Sequence, residues 1–213
     1  MLPLGDDNST RRTIPVITYL LIAANFFVFF IQLAGGDAFT NDWMFVPAVY
    51  QADHFFGWIT VFTSMFMHGG WLHILGNMLY LWIFGDNVED QLGHGRFLLF
   101  YLLCGVIATF SQMAADPYSQ VGSLGASGAI AGVLAAYLVL FPRQRVRVLV
   151  LNFVIPLPAI LVIGIWFALQ LFSQLGGASD GVAYMAHIGG FLSGLVLVLI
   201  LRRRRSQPPV LPY

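Results

Sequence analysis

Hydrophobic and polar positions fall in long blocks along this chain. Apolar runs of about 20 residues, almost free of charge, occupy roughly 14–34, 71–88, 96–114, 125–141, 157–175 and 182–201. A helix of that length crosses a hydrocarbon core of about 30 Å. Any one run could be a buried core helix, but six in 213 residues cannot all be explained that way. The pattern predicts an all-α polytopic membrane protein, a bundle of six spans over 14–201. Residues 1–13 form a polar segment before it, and 202–213 a basic tail expected to be disordered. The first apolar run is long enough to remain as a helix, so no cleavable signal peptide is expected.

The first outer connection, at about 35–70, is long, and its helix-like stretches Trp43-Met-Phe45 and Phe55-Phe-Gly-Trp58 predict amphipathic pieces in the interface. The segment Val146–Ile155 precedes the fifth span, and its place relative to the membrane is left open by the pattern. That span starts near Pro156 and Pro158, where proline suits a helix start.

Composition agrees: 58% of residues are hydrophobic and 9% charged. Cys104 is the sole cysteine, which excludes an intrachain disulfide. The formal net charge of zero gives no support to nucleic-acid binding. Charge placement adds the orientation. Every basic residue is arginine: Arg11, Arg12, Arg96, Arg143, Arg145, Arg147 and Arg202 to Arg205. With six spans, all fall on one side, which the positive-inside rule makes cytoplasmic together with both termini. The other side carries Asp37, Asp42, Asp53, Asp116 and Asp180. The Arg202–Arg205 cluster is read as a topology anchor that meets anionic lipid.

Polar residues inside the apolar runs are costly and therefore functional candidates. Ser127 lies in Gly125-Ala-Ser-Gly128 at the start of span four, and His187 in Ala186-His-Ile-Gly-Gly190 at the start of span six. His73 and Asn77 lie four apart, on one face near the start of span two, with His68 at its mouth. In this topology spans two, four and six run in the same direction. All these residues then lie roughly 3–10 Å from the outer helix ends. A serine hydroxyl needs an adjacent base to become a nucleophile. His187 can take its proton and return it to a leaving amine. No acid lies at this depth, so a dyad is expected rather than a triad. Ser127 at a helix start offers free N–H groups to a developing oxyanion, and His73 and Asn77 can donate to it. The residues read as an intramembrane serine protease. Gly125, Gly128 and Gly132, with Gly190 and Gly194, also suit close helix packing.

The motifs His68-Gly-Gly-Trp-Leu-His73-Ile-Leu-Gly-Asn77, Gly125-Ala-Ser127-Gly128, Ala186-His187-Ile-Gly-Gly190 and Gly85-Asp-Asn-Val-Glu89-Asp-Gln-Leu-Gly93 resemble those of rhomboid intramembrane serine proteases over residues 14–201. The resemblance implies a six-helix core with Ser127 and His187 as the catalytic pair. It implies oxyanion support from His73, Asn77 and the Ser127 amide, with Gly125, Gly128 and His68 close by. It implies cleavage of membrane-protein substrates near the outer ends of their spans, without metal or cofactor. Two positions depart from the pattern. Trp58-Ile59 stands where a Trp-Arg pair is common, and Ala131 where some members place an aromatic on the catalytic histidine. The resemblance also suggests sideways access between spans two and five, loosened at Tyr80, Trp166 and Phe167. The rival readings are an inactive rhomboid-like protein that binds membrane clients, and a small transporter or channel. The intact Ser–His pair argues against the first. The clustering of polar residues at one end of the spans argues against the second. The short core and arginine-rich side fit a bacterial inner (plasma) membrane.

Overall fold

The computed structural model describes residues 2–9, 11–178 and 180–202. Most of the expected basic tail, residues 203–213, lies outside the described residues. Each of the six apolar runs is a helix: α1 (Val16–Trp43), α4 (Trp71–Leu92), α5 (His94–Ala115), α6 (Ser127–Leu140), α7 (Ala159–Leu175) and α8 (Tyr184–Leu201). By length and hydropathy α1, α5 and α8 are long enough to cross a membrane, while α6 and α7 are shorter apolar helices. α1 outruns its apolar run because the chain kinks at Gly36 (φ 66°, ψ −156°) and then continues as a short helix to Trp43.

The long connection after α1 folds into α2 (Pro47–Ala52) and α3 (His54–Ser64). Asp53 caps α3 by accepting from the Phe56 N–H at 3.1 Å. Trp58 meets Tyr50 and Phe110 edge-on, and Trp43 meets Phe56. Thr63 Oγ1 donates to the Trp43 carbonyl at 2.7 Å.

The all-α expectation needs one correction. β1 (Leu2–Gly5), β2 (Arg145–Val150) and β3 (Phe153–Pro158) form an antiparallel sheet in the order β1-β2-β3. In β2, Val146 and Val148 are fully buried while Arg145 and Arg147 point outward. That is the period-2 alternation of a strand with one buried face. The turn to β3 has Leu151 at φ 54°. β1 pairs Leu2 with Leu149, a contact between distant parts of the chain.

α6 is the central helix, and every residue from Gly128 to Tyr137 is buried. It lies against α8 at two glycine pairs. A methyl on Gly190 would strike the Gly128 carbonyl, and one on Gly194 the backbone of Gly132. The missing side chains let the first turns of α6 meet the middle of α8 backbone to backbone.

The far end of the bundle is closed by acids of α4. Glu89 is fully buried, and its oxygens accept from the Ile17 N–H (2.9 Å), the Thr18 N–H (2.7 Å) and Thr18 Oγ1 (2.7 Å). His94 Nδ1 lies 2.5 Å from it. The first N–H groups of α1, which have no partner within their own helix, are thus satisfied by a carboxylate of another helix. Asp90 accepts from the Arg12 and Thr13 N–H groups, and Asp86 pairs with Arg11 at 2.6 Å. Asp6 accepts from Tyr137 Oη at 2.6 Å and from Asn87 at 2.7 Å. The described arginines all belong to this end; Arg96 reaches the Leu201 carbonyl at 3.3 Å.

Candidate functional site

Ser127 is the first residue of α6. The preceding loop is fixed from outside the helix. Phe45 and Ser123 exchange backbone hydrogen bonds, and the Gly125 N–H donates to the Ser64 carbonyl at 2.9 Å. The hydroxyl therefore has a defined position before any substrate binds. Across the α6–α8 contact, Ser127 Oγ lies 2.8 Å from His187 Nε2. The Gly128–Gly190 approach sets this distance, since those glycines follow Ser127 and His187 directly or within one turn.

A cavity of about 930 Å³ opens over the pair and is lined by Ser127, His187, His73, Asn77, Tyr80 and Trp166, among others. His73 comes from α4. Its Nδ1 accepts from the Gly69 N–H at 3.2 Å, so the neutral ring carries its proton on Nε2. That Nε2 faces Gly125, where a Cβ would stand 2.9 Å from the ring and 3.6 Å from Ser127 Oγ. Gly125 (φ 133°) is required by its conformation and leaves this space open. Asn77 is buried, and its Nδ2 has no partner among the described residues. An unsatisfied buried donor costs about 1–3 kcal/mol unless something comes to accept from it. Near Ser127 there are thus one ring N–H, one idle amide and the open start of a helix.

The other expected residues have other places. His68 is fully buried behind the site, its ring 5.1 Å from that of His73, and does not line the cavity. Gln32 holds its backbone in both directions, at 2.9 and 3.0 Å. Gly128 packs against Ala108 and Ala186. Tyr80 and Trp166 line the cavity, but Phe167 stacks on Phe191 (4.1 Å, 17°) outside it. Ala131 is buried in the core, and the aromatic neighbours of His187 are instead Trp166 (5.9 Å) and Tyr184 (6.3 Å).

Two glutamines went unread in the sequence. Gln170 of α7 places Oε1 2.8 Å from His187 Nδ1. Gln112 of α5 accepts from the Ala186 N–H at 3.3 Å and lines the cavity. Both are polar residues within apolar runs, the same signal that marked His187.

A model of the Rhomboid domain matches residues 56–204. Among curated proteins, the chain is 33% identical to rhomboid protease GluP of Bacillus subtilis over 189 residues, 84% of this chain and 34% of that protein. It is 32% identical to the chloroplastic rhomboid-like protein 11 of Arabidopsis thaliana over 181 residues, 73% of this chain and 62% of that one. It is 29% identical to the mitochondrial rhomboid protein 1 of Saccharomyces cerevisiae over 190 residues, 84% of this chain and 51% of that one. The chain thus spans less than two thirds of the length of each of these relatives. With its apolar helices and the domain match, the chain is an integral membrane protein that belongs to the rhomboid family.

Proposed function

We propose that this protein is an intramembrane serine endopeptidase that cuts membrane-protein substrates near the outer ends of their spans. The observation that carries the proposal is the 2.8 Å contact of Ser127 Oγ with His187 Nε2 beneath a cavity that His73 and Asn77 also line. His187 takes the hydroxyl proton as Oγ attacks the scissile carbonyl, and returns it to the leaving amine. An acyl-enzyme on Ser127 remains, which water hydrolyses with His187 again as base. The developing oxyanion accepts from His73 Nε2–H, Asn77 Nδ2 and the Ser127 N–H.

In this reading α1, α4, α5, α6, α7 and α8 are six spans. The site end faces outward, and the arginine-bearing end with both termini faces the cytoplasm of a bacterial cell. Substrate approaches between α4 and α7. Support comes from α7, which leans on α6 and α8 and makes little contact with α4. The test is reaction with a fluorophosphonate together with cleavage of tagged single-span proteins. Wild type is expected to be labelled and to cut, and Ser127→Ala to do neither. An unlabelled, well-folded wild type would instead favour an inactive client-binding protein.

A further inference from the structure

Among the described residues no carboxylate bonds to the His187 ring, yet the ring is held at both nitrogens. The second contact comes from Gln170, one turn beyond Trp166 on α7. Its amide orientation follows from a second bond. Gln170 Nε2 is 3.2 Å from the Trp166 carbonyl, which can only accept, so Nε2 is the donor there. Oε1 is then the atom facing His187 Nδ1, at 2.8 Å, and it can only accept. Nδ1 must therefore carry the ring proton. Nε2 is left with its lone pair toward Ser127, the form a general base needs.

We propose that Gln170 is a positioning residue for the dyad. It fixes the His187 tautomer and makes that orientation depend on the seating of α7. The inference rests on the proteolytic role proposed above. Gln170 does for the imidazole what a carboxylate does in a triad, but without charge. The bond to Nδ1–H persists and strengthens when the ring becomes positive in the transition state. It also spans from α8 to the helix proposed to part from α4. Among the described residues, the titratable groups that share the cavity with His187 are His73 and Tyr80 from α4 and Asp116 just after α5, and Tyr184 lies beside it on its own helix; α5 and α6 also present Gln112 and Ser127. Tyr184 Oη is held by Asp180 at 2.7 Å, turned away toward the loop.

The test uses the full chain in detergent, with Gln170→Leu, which keeps the size but not the acceptor, and Gln170→Glu, which restores an acceptor with charge. Gln170→Leu is expected to lose about 10–100-fold in kcat for a soluble peptide with KM unchanged. Gln170→Glu should recover much of that rate. It should also move the acid limb of the kcat/KM profile up by roughly one pH unit, since a carboxylate favours the imidazolium and the free base is lost earlier as pH falls. Nitrogen NMR of ¹⁵N-histidine protein reads the tautomer without any turnover. Wild-type His187 should be protonated at Nδ1, and Gln170→Leu should populate both tautomers. Wild-type kcat in Gln170→Leu, an unmoved acid limb in Gln170→Glu, or an unchanged tautomer would each overturn the inference. Failure of wild type to react with fluorophosphonate would instead overturn the proteolytic role, and the NMR result would still decide whether Gln170 sets the ring.

Discussion

In the proposed mechanism Ser127 and His187, 2.8 Å apart, work as one unit, because the hydroxyl is a weak nucleophile without the ring as its base. Ser127→Ala and His187→Ala are each expected to abolish peptide cleavage, and the double variant to be no worse than either. Single-turnover assays on purified protein of unchanged melting temperature check this. For His73 and Asn77 the expected loss is about 10²–10³ in kcat each, with little change in KM, as for an oxyanion donor. A fall in thermal stability alone, with normal turnover by the folded fraction, would make them structural. These four residues were legible in the sequence because each is polar in an apolar run and near a helix start. Gln170 carried the same signal but had no motif around it. Its partner only becomes visible once α7 is laid against α8. His68, read from the same motif as a neighbour of the site, stands behind His73 and out of the cavity.

At the scale of elements, the contact of α6 with α8 decides the distance across the dyad. Gly190→Ala should force the Gly128 backbone away, lowering the melting temperature and the labelling rate together. A shift near 1 Å costs about 10² in rate. Gly164→Ala on α7 has open space around it and is the matched control. Trp166→Ala should raise cleavage of a membrane-embedded substrate more than that of a soluble peptide, and a cross-link between α4 and α7 should block only the embedded one. Equal cutting of both by the cross-linked protein would place substrate access elsewhere. The helices were legible because apolar length is a strong one-dimensional signal. The sheet was less so. The alternation Arg145-Val-Arg-Val148 is a strand pattern, but β1 is only four residues long and pairs with a strand it meets across most of the chain. Nothing local announces such a partner.

For the whole molecule, the end opposite the site is a second polar assembly, held by the N-terminal segment. Burial, and then the nearby Asp86 charge, push the Asp6 carboxyl up to about 6 against the Tyr137 hydrogen bond. The folded chain therefore holds this proton more tightly than the unfolded chain, whose carboxyl titrates near 3.8. Stability from this group is greatest below that value, falls as pH rises toward about 6, and levels off above. Asp6→Asn should remove this slope, so that the variant gains on wild type as pH rises through the window. Melting curves of both proteins from pH 4 to 8 measure it, and parallel curves would refute it.

The Glu89 clamp also sets an order of events during synthesis. The N–H groups of Ile17 and Thr18 wait for a carboxylate that lies 72 and 71 residues further along the chain. At ~5–20 residues/s that is about 4–14 s of translation. During that interval the leading helix has to leave its start to water or lipid headgroups. β1 waits longer still, until Leu149 has been made. A segment made before the rest of the bundle is thus among the last to find its place. A ribosome stalled before codon 89 should hold a nascent chain whose residues 2–18 are still open to protease, and one stalled well past codon 158 a chain in which they are closed.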